Sequence, residues 1–184
     1  MSNAPEVDRD ERFQVRRVVY DADIIARRVG ELGLEIADAY PSGELLILGL
    51  LKGSFIFTAD LVRAVGRPLQ VDFVVASSYG EGTTSSGNVR LHYDPETDLA
   101  GRHVLVVEDI IETGRTLQRL LTLLASRQPA SLAVCALLDK KLAPPIPEVR
   151  FTGFECPSVF LVGYGLDYAE RYRHLPFIAE LAQE

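Results

Sequence analysis

The chain has 184 residues, 47% of them hydrophobic, and a formal net charge of −7. That length fits one domain, and the apolar fraction supplies a packed core, which argues against a disordered polymer. The acidic balance argues against non-specific nucleic-acid binding, and the longest apolar run, residues 45–51, falls far short of the roughly 20 residues that cross a bilayer.

Residues 1–17 read as a polar, charged arm without the apolar core of a secretion signal, so a cytoplasmic location is the expectation. The stretch "DADIIARRVGELGLEIADAY" sets Ile24, Ile25, Val29, Leu32, Ile36 and Ala39 near helical spacing and predicts an amphipathic helix, broken by "PSG". "ELLILGL" is short and continuously apolar, the pattern of a buried strand. A tight turn, "LKGS", leads into a helix over "FIFTADLVRAV", stopped by "GRP". "LQVDFVVASSY" predicts the next strand. "GEGTTSSGN" follows with little to bury, and "VRLHYD" returns from it as a strand.

"HVLVVED" is another buried strand, and its loop "IIETGRT" runs into the helix "LQRLLTLLASR". "ASLAVCALLDK" predicts a strand, and "LAPPIPEV" an extended connector, because its prolines forbid a regular helix. "VFLVGYGLDY" reads as a last strand and turn, and a short helix closes the chain. Cys135 and Cys156 lack metal-type spacing and read as reduced small hydrophobes. Strands alternate with helices and are apolar on both faces, the mark of an α/β fold with a mostly parallel sheet between helices. Ligands bind such sheets beyond the carboxyl ends of the strands, where every unusual loop of this chain falls.

The loop "ETGRT" carries the chemistry. A glycine between strand and helix gives a tight backbone path, Thr113 and Thr116 add hydroxyl donors, and the helix brings unpaired N–H groups. Such a nest suits a phosphate monoester, although "TGRT" alone equally describes an ordinary helix cap. Glu108 and Asp109, adjacent at the strand's end, cannot both be buried unpaired. Solvent, sugar hydroxyls and Mg²⁺ all satisfy such a pair, since Mg²⁺ prefers oxygen ligands and keeps several waters. An acid pair, a third acid at Glu112 and an anion nest, all directly after a buried strand, together suggest a phosphorylated sugar.

At that level "VLVVEDIIETGRTL" resembles the phosphoribosyl-diphosphate (PRPP) signature of the type I phosphoribosyltransferases, and the flanking motifs resemble their 6-oxopurine (hypoxanthine-guanine) branch. The resemblance runs from about residue 45 to residue 173. It implies an α/β phosphoribosyltransferase domain over residues 18–184, with a small hood from the N-terminal segment and about residues 140–184. It also implies a flexible lid with Ser78 and Tyr79 as its marker pair. The activity implied is purine salvage: hypoxanthine or guanine joined to PRPP, giving a nucleoside monophosphate and pyrophosphate, with Mg²⁺ as cofactor and a homodimer or homotetramer as the assembly.

Carried over by motif, Glu108 and Asp109 hold the ribose hydroxyls and the metal, and Glu112, Thr113, Gly114, Arg115 and Thr116 wrap the 5′-phosphate. Glu112 is the implied general base at purine N7, where relatives often carry aspartate; its extra methylene displaces the carboxylate by about 1.5 Å. Lys52 and Gly53 in "LLKGS", with Arg173, are implied pyrophosphate contacts, and the bond before Lys52 is implied to be cis. Lys140 matches the lysine at the purine 6-oxo group. Phe160 matches the stacking aromatic, Leu161 a backbone reader of the base edge, and Asp167 a second metal carboxylate. A lysine only donates hydrogen bonds, which favours a 6-oxo group over the 6-amino group of adenine.

Other readings compete. A receiver domain beginning near residue 102 would explain "VLVVED", but about 80 residues are short for it and "TGRT" would be left without a role. Some proteins of the same fold regulate pyrimidine genes by binding RNA, which calls for a basic face. Xanthine or another base in place of hypoxanthine keeps the reaction and changes the substrate.

Overall fold

The computed structural model describes residues 15–78 and 89–182. In chain order its elements are β1 (Val15–Tyr20), α1 (Ala22–Ala39), β2 (Leu45–Leu50), α2 (Phe55–Val65), β3 (Gln70–Ser78), β4 (Val89–Tyr93), β5 (His103–Ile111), α3 (Arg115–Ala125), β6 (Ser131–Asp139), β7 (Val149–Glu155), β8 (Leu161–Val162) and β9 (Ile178–Leu181). Among the described residues six strands form the central sheet, in the order β4-β3-β2-β5-β6-β7. All pairings are parallel except that of β4 with β3.

The alternation within β2 explains why its run is apolar throughout. Leu45 and Ile47 join a core with α1 and α2 on one face, while Leu46, Leu48 and Leu50 join a core with α3 on the other. Both faces are therefore dry, as a parallel sheet between helices requires. Helix α1 presents Ile25, Val29, Leu32 and Ile36 to this core, and Asp21 caps it by accepting from the Ile24 N–H at 2.8 Å. Helix α3 buries Leu117, Leu120, Leu121 and Leu124 along one stripe. Each such leucine contributes about 1.5–3 kcal/mol of burial.

A second sheet, β1-β9-β8, is antiparallel. Arg16 and Arg17 both reach Glu180 on β9, at 3.0 and 2.8 Å. Tyr20 ties this sheet to the edge of the large one: its ring stacks on Phe154 at 4.2 Å and its hydroxyl donates to the Glu155 carbonyl.

Five expectations change. The closing segment is a strand, not a helix: Ile178, Ala179, Glu180 and Leu181 are all buried in the ladder between β1 and β8, and this tertiary pairing overrides the helix-favouring composition of "AELAQE". Two strands absent from the sequence reading appear, β1 and β7. Each has a polar or exposed face and so lacks the continuous apolar signal of a central strand. Val15, Arg16 and Arg17, assigned above to the polar arm, lie in β1; residues 1–14 are outside the described residues. Strand β5 continues to Ile111, because its pairing with β6 runs on to Ile111 opposite Asp139. Ile110 and Ile111, read above as loop, are therefore strand, and Glu108 and Asp109 lie inside it rather than at its end. Strand β8 is only two residues long, and residues 163–172 fold as turns in which Tyr164, Ala169, Glu170 and Tyr172 all have positive φ.

Candidate active site

The carboxyl ends of β2 and β5 and the start of α3 enclose a cleft of about 340 Å³, lined by residues 108–117 together with Leu50, Leu51, Gly53 and Ala76. Gly53, Glu108, Asp109, Glu112, Thr113, Gly114, Arg115 and Thr116 thus share one cavity. Gly114 takes φ 66° and ψ 1° immediately before α3 begins at Arg115. Thr113 to Leu117 line this cleft, and the start of α3 has no side-chain cap, the arrangement of a helix N-terminus that accepts an anion.

The two adjacent acids are held in different ways. Asp109 accepts from the Ile110 N–H at 3.0 Å and packs against the backbone of Gly53. Glu108 has Oε2 fully enclosed and without a hydrogen-bond partner. Burial, and then the neighbouring charge of Asp109, push the Glu108 carboxyl well above the usual carboxylate range, and burial raises Asp109 as well. Two desolvated carboxylates side by side suit sugar hydroxyls or a hard cation. Among the described residues no three His, Cys, Asp or Glu side chains converge as a metal cage. A magnesium ion bound here would therefore draw most of its ligands from substrate and water, which is usual for that ion.

Glu112 opens the loop between β5 and α3 with its side chain more than half exposed, and it is paired with Nζ of Lys140, just past the end of β6. The Lys140 side chain is nearly buried, and its backbone N–H donates to the Ile111 carbonyl at 3.0 Å. Lys141 turns the other way, with φ 53°, and pairs with Asp139 at 2.9 Å. It is Lys140, then, and not Lys141, that faces Glu112.

A second cluster lies beside the first. The Leu51–Lys52 peptide is cis. Arg173 Nη2 is 2.8 Å from Asp167, and its Nη1 donates to the Gly165 carbonyl at 2.7 Å, while the Gly165 N–H donates back to the Arg173 carbonyl at 3.0 Å. Tyr164 anchors this segment on α2 through a 2.6 Å bond to Asp60. A Cβ on Gly165 would meet the Gly53 carbonyl oxygen at 2.2 Å, so the two clusters touch backbone to backbone. Sequence reasoning missed Glu170, whose carboxylate contacts both Lys52 and Arg173. Its spacing three residues after Asp167 and three before Arg173 was the available signal.

Phe160 and Leu161 do not line the cleft. Phe160 is 38% exposed and meets Tyr168 edge-on at 5.5 Å, while Leu161 is buried in β8 opposite Glu180. Ser78 ends β3, and Tyr79 lies outside the described residues. Cys135 and Cys156 are both free and buried.

Comparison with known proteins gives one family. A phosphoribosyl transferase domain model matches residues 17–169. The hypoxanthine phosphoribosyltransferase of Salmonella typhimurium is 45% identical over 173 residues, covering 92% of this chain and 97% of that protein. The hypoxanthine-guanine phosphoribosyltransferase of Dictyostelium discoideum is 45% identical over 175 residues, with the same coverage of 92% and 97%. The crystal structure of a hypoxanthine phosphoribosyltransferase from Staphylococcus aureus superposes with a TM-score of 0.86 at 38% identity, covering 91% of this chain and 92% of that one.

Proposed function

The chain belongs to the phosphoribosyl transferase family and has its type I fold, and from that premise we infer that it is a purine-salvage pentosyltransferase, a hypoxanthine phosphoribosyltransferase. It joins hypoxanthine, and guanine, to PRPP and yields IMP or GMP with pyrophosphate. The observation that carries the base assignment is the Glu112–Lys140 pair at the mouth of the phosphate loop. One group accepts and the other donates. A 6-oxopurine offers the complement along one edge, an N7–H and a carbonyl oxygen.

In this reading the amides of residues 113–116 and the hydroxyls of Thr113 and Thr116 hold the 5′-phosphate, with Arg115 adding charge. Glu108 and Asp109 receive the ribose hydroxyls at their cleft-facing oxygens. Lys52, the Gly53 backbone and Arg173 take the pyrophosphate. Phe160, beside the second sheet and outside the cleft described above, would stack on the purine, and Leu161 would read the base edge through its backbone; the N-terminal segment and about residues 140–184 act as the hood. Glu108 and Asp109 would hold Mg²⁺ together with substrate oxygens and water, Asp167 would serve a second ion, and the metal would supply neutralisation of the charge on the departing group.

The reaction breaks the bond from ribose C1 to the pyrophosphate oxygen and forms the bond from C1 to purine N9. Positive charge develops on the sugar ring as this happens, and the Glu108 and Asp109 carboxylates stabilise that charge electrostatically. Glu112 takes the N7 proton while N9 attacks, and Lys140 stabilises the negative charge that collects on the 6-oxo group. The enzyme acts on small molecules. Among the described residues no helix is long and apolar enough to cross a membrane. A cytoplasmic location and a homodimer or homotetramer complete the proposal.

A spectrophotometric assay with PRPP and Mg²⁺ against hypoxanthine, guanine, xanthine, adenine and uracil tests it. Turnover of hypoxanthine and guanine is the expected result. No turnover with any base overturns the enzyme reading, and a preference for adenine overturns the role given to Lys140.

A further inference from the structure

The cations assigned to pyrophosphate are already in use. Glu170 Oε1 lies 3.0 Å from Lys52 Nζ, and its Oε2 lies 3.4 Å from Arg173 Nη2. One carboxylate therefore bridges the two cations, and Lys52 and Glu170 come from segments 118 residues apart. The backbone is shaped to deliver it. Ala169 and Glu170 have φ of 51° and 64°, a conformation that side-chain-bearing residues rarely adopt, and the Glu170 N–H is pinned to Asp167 Oδ2 at 2.9 Å. The ion pairs draw the Glu170 carboxyl below its usual range. The Glu170 and Lys52 side chains are 66% and 67% exposed, so the contact is open to an incoming solute and its rupture disturbs no core.

We infer that Glu170 is an internal anion that occupies the pyrophosphate donors of the ligand-free site and is displaced when the diphosphate of the substrate arrives. The inference rests on Lys52 and Arg173 being the pyrophosphate contacts. A single carboxylate carries less charge and fewer acceptor oxygens than a diphosphate, so it holds the two cations in place without outcompeting the substrate. After transfer the same carboxylate competes with the pyrophosphate product for Lys52 and Arg173. Glu170 thereby sets the affinity for the product as well as the order of the empty site.

Titration calorimetry with inorganic pyrophosphate at saturating Mg²⁺ tests this on the wild type, Glu170→Gln, Lys52→Met and the double variant. Glu170→Gln is expected to tighten pyrophosphate binding by about three- to tenfold, the scale of two exposed ion pairs. Lys52→Met is expected to weaken it. In the double variant the gain from Glu170→Gln shrinks, because Glu170 no longer has Lys52 to hold. Unchanged or weaker binding in Glu170→Gln overturns the inference and leaves the pyrophosphate assignment standing. An equal gain in both backgrounds also overturns it, since that is the signature of a bulk field. If Lys52→Met leaves pyrophosphate binding untouched, the assignment of Lys52 falls, and the inference with it.

Discussion

A Cβ built on Gly53 would fall 1.6 Å from Oδ2 of Asp109, so the absence of a side chain at one position is what allows the carboxylate at the other. The turn after β2 and the acid pair of β5 are thus one structural unit, although 56 positions of sequence number separate Gly53 from Asp109.

Gly53→Ala is therefore expected to displace the Asp109 carboxylate. Misplacing a reacting group by about 1 Å costs on the order of 100-fold in rate. Steady-state kinetics with PRPP and hypoxanthine should show a loss of that size, with the fold retained by circular dichroism. Activity within threefold of wild type would mean that Asp109 has room to move without consequence.

Glu112→Gln removes the proton acceptor while keeping the length of the side chain. We expect kcat to fall by about 10- to 1,000-fold, the range of general-base and electrostatic contributions. Glu112→Asp tests the extra methylene. The reference pKa values of the two acids lie close together, at about 3.9 and 4.3, so only reach differs, and activity within about tenfold is expected. An unchanged kcat in Glu112→Gln would remove this residue from the chemistry.

Lys140→Met deletes the donor proposed for the 6-oxo group. A hydrogen bond to a charged group contributes about 1.5–3 kcal/mol, so KM for hypoxanthine should rise by about 10- to 100-fold. Discrimination against adenine should narrow in the same variant. A rise in the KM of PRPP alone, with that of hypoxanthine unaffected, would relocate Lys140 from the base to the sugar phosphate.

The raised carboxyls of Glu108 and Asp109 make stability depend on pH. An acid whose folded pKa is raised binds its proton more tightly in the folded chain than in the unfolded one. Its contribution to stability is full below the unfolded pKa and is lost as pH rises toward the folded value. Without ligand, the melting temperature should therefore decline as pH climbs above the ordinary glutamate range. Glu108→Gln should flatten that decline and melt a few degrees higher than wild type near pH 8, at ~2–4 °C per kcal/mol for a domain of this size. Parallel pH profiles for wild type and variant, measured by differential scanning fluorimetry, would show that Glu108 is not the group responsible.

The central strands were legible because each carries its own signal. "ELLILGL" and "HVLVVED" are dry on both faces, and helices α1 and α2 follow their apolar spacing nearly to the residue. The loop between β5 and α3 was equally legible, since its glycine and threonines directly follow a buried strand. Edge elements were not. Strand β1 contains two arginines whose ion pairs with Glu180 exist only across the second sheet, and β9 has a composition that favours a helix until β1 and β8 are beside it.

The sequence by itself determined the layered α/β fold and placed the acids and the "ETGRT" turn between a buried strand and a helix, because these depend on local periodicity and on neighbours in the chain. Only the tertiary structure decided that Lys140 faces Glu112 and Lys141 does not, that Asp109 occupies the space left by Gly53, and that Glu170 lies across Lys52 and Arg173. Each of these joins segments far apart in sequence, and their contact is set by strand register and backbone turns that no local pattern encodes.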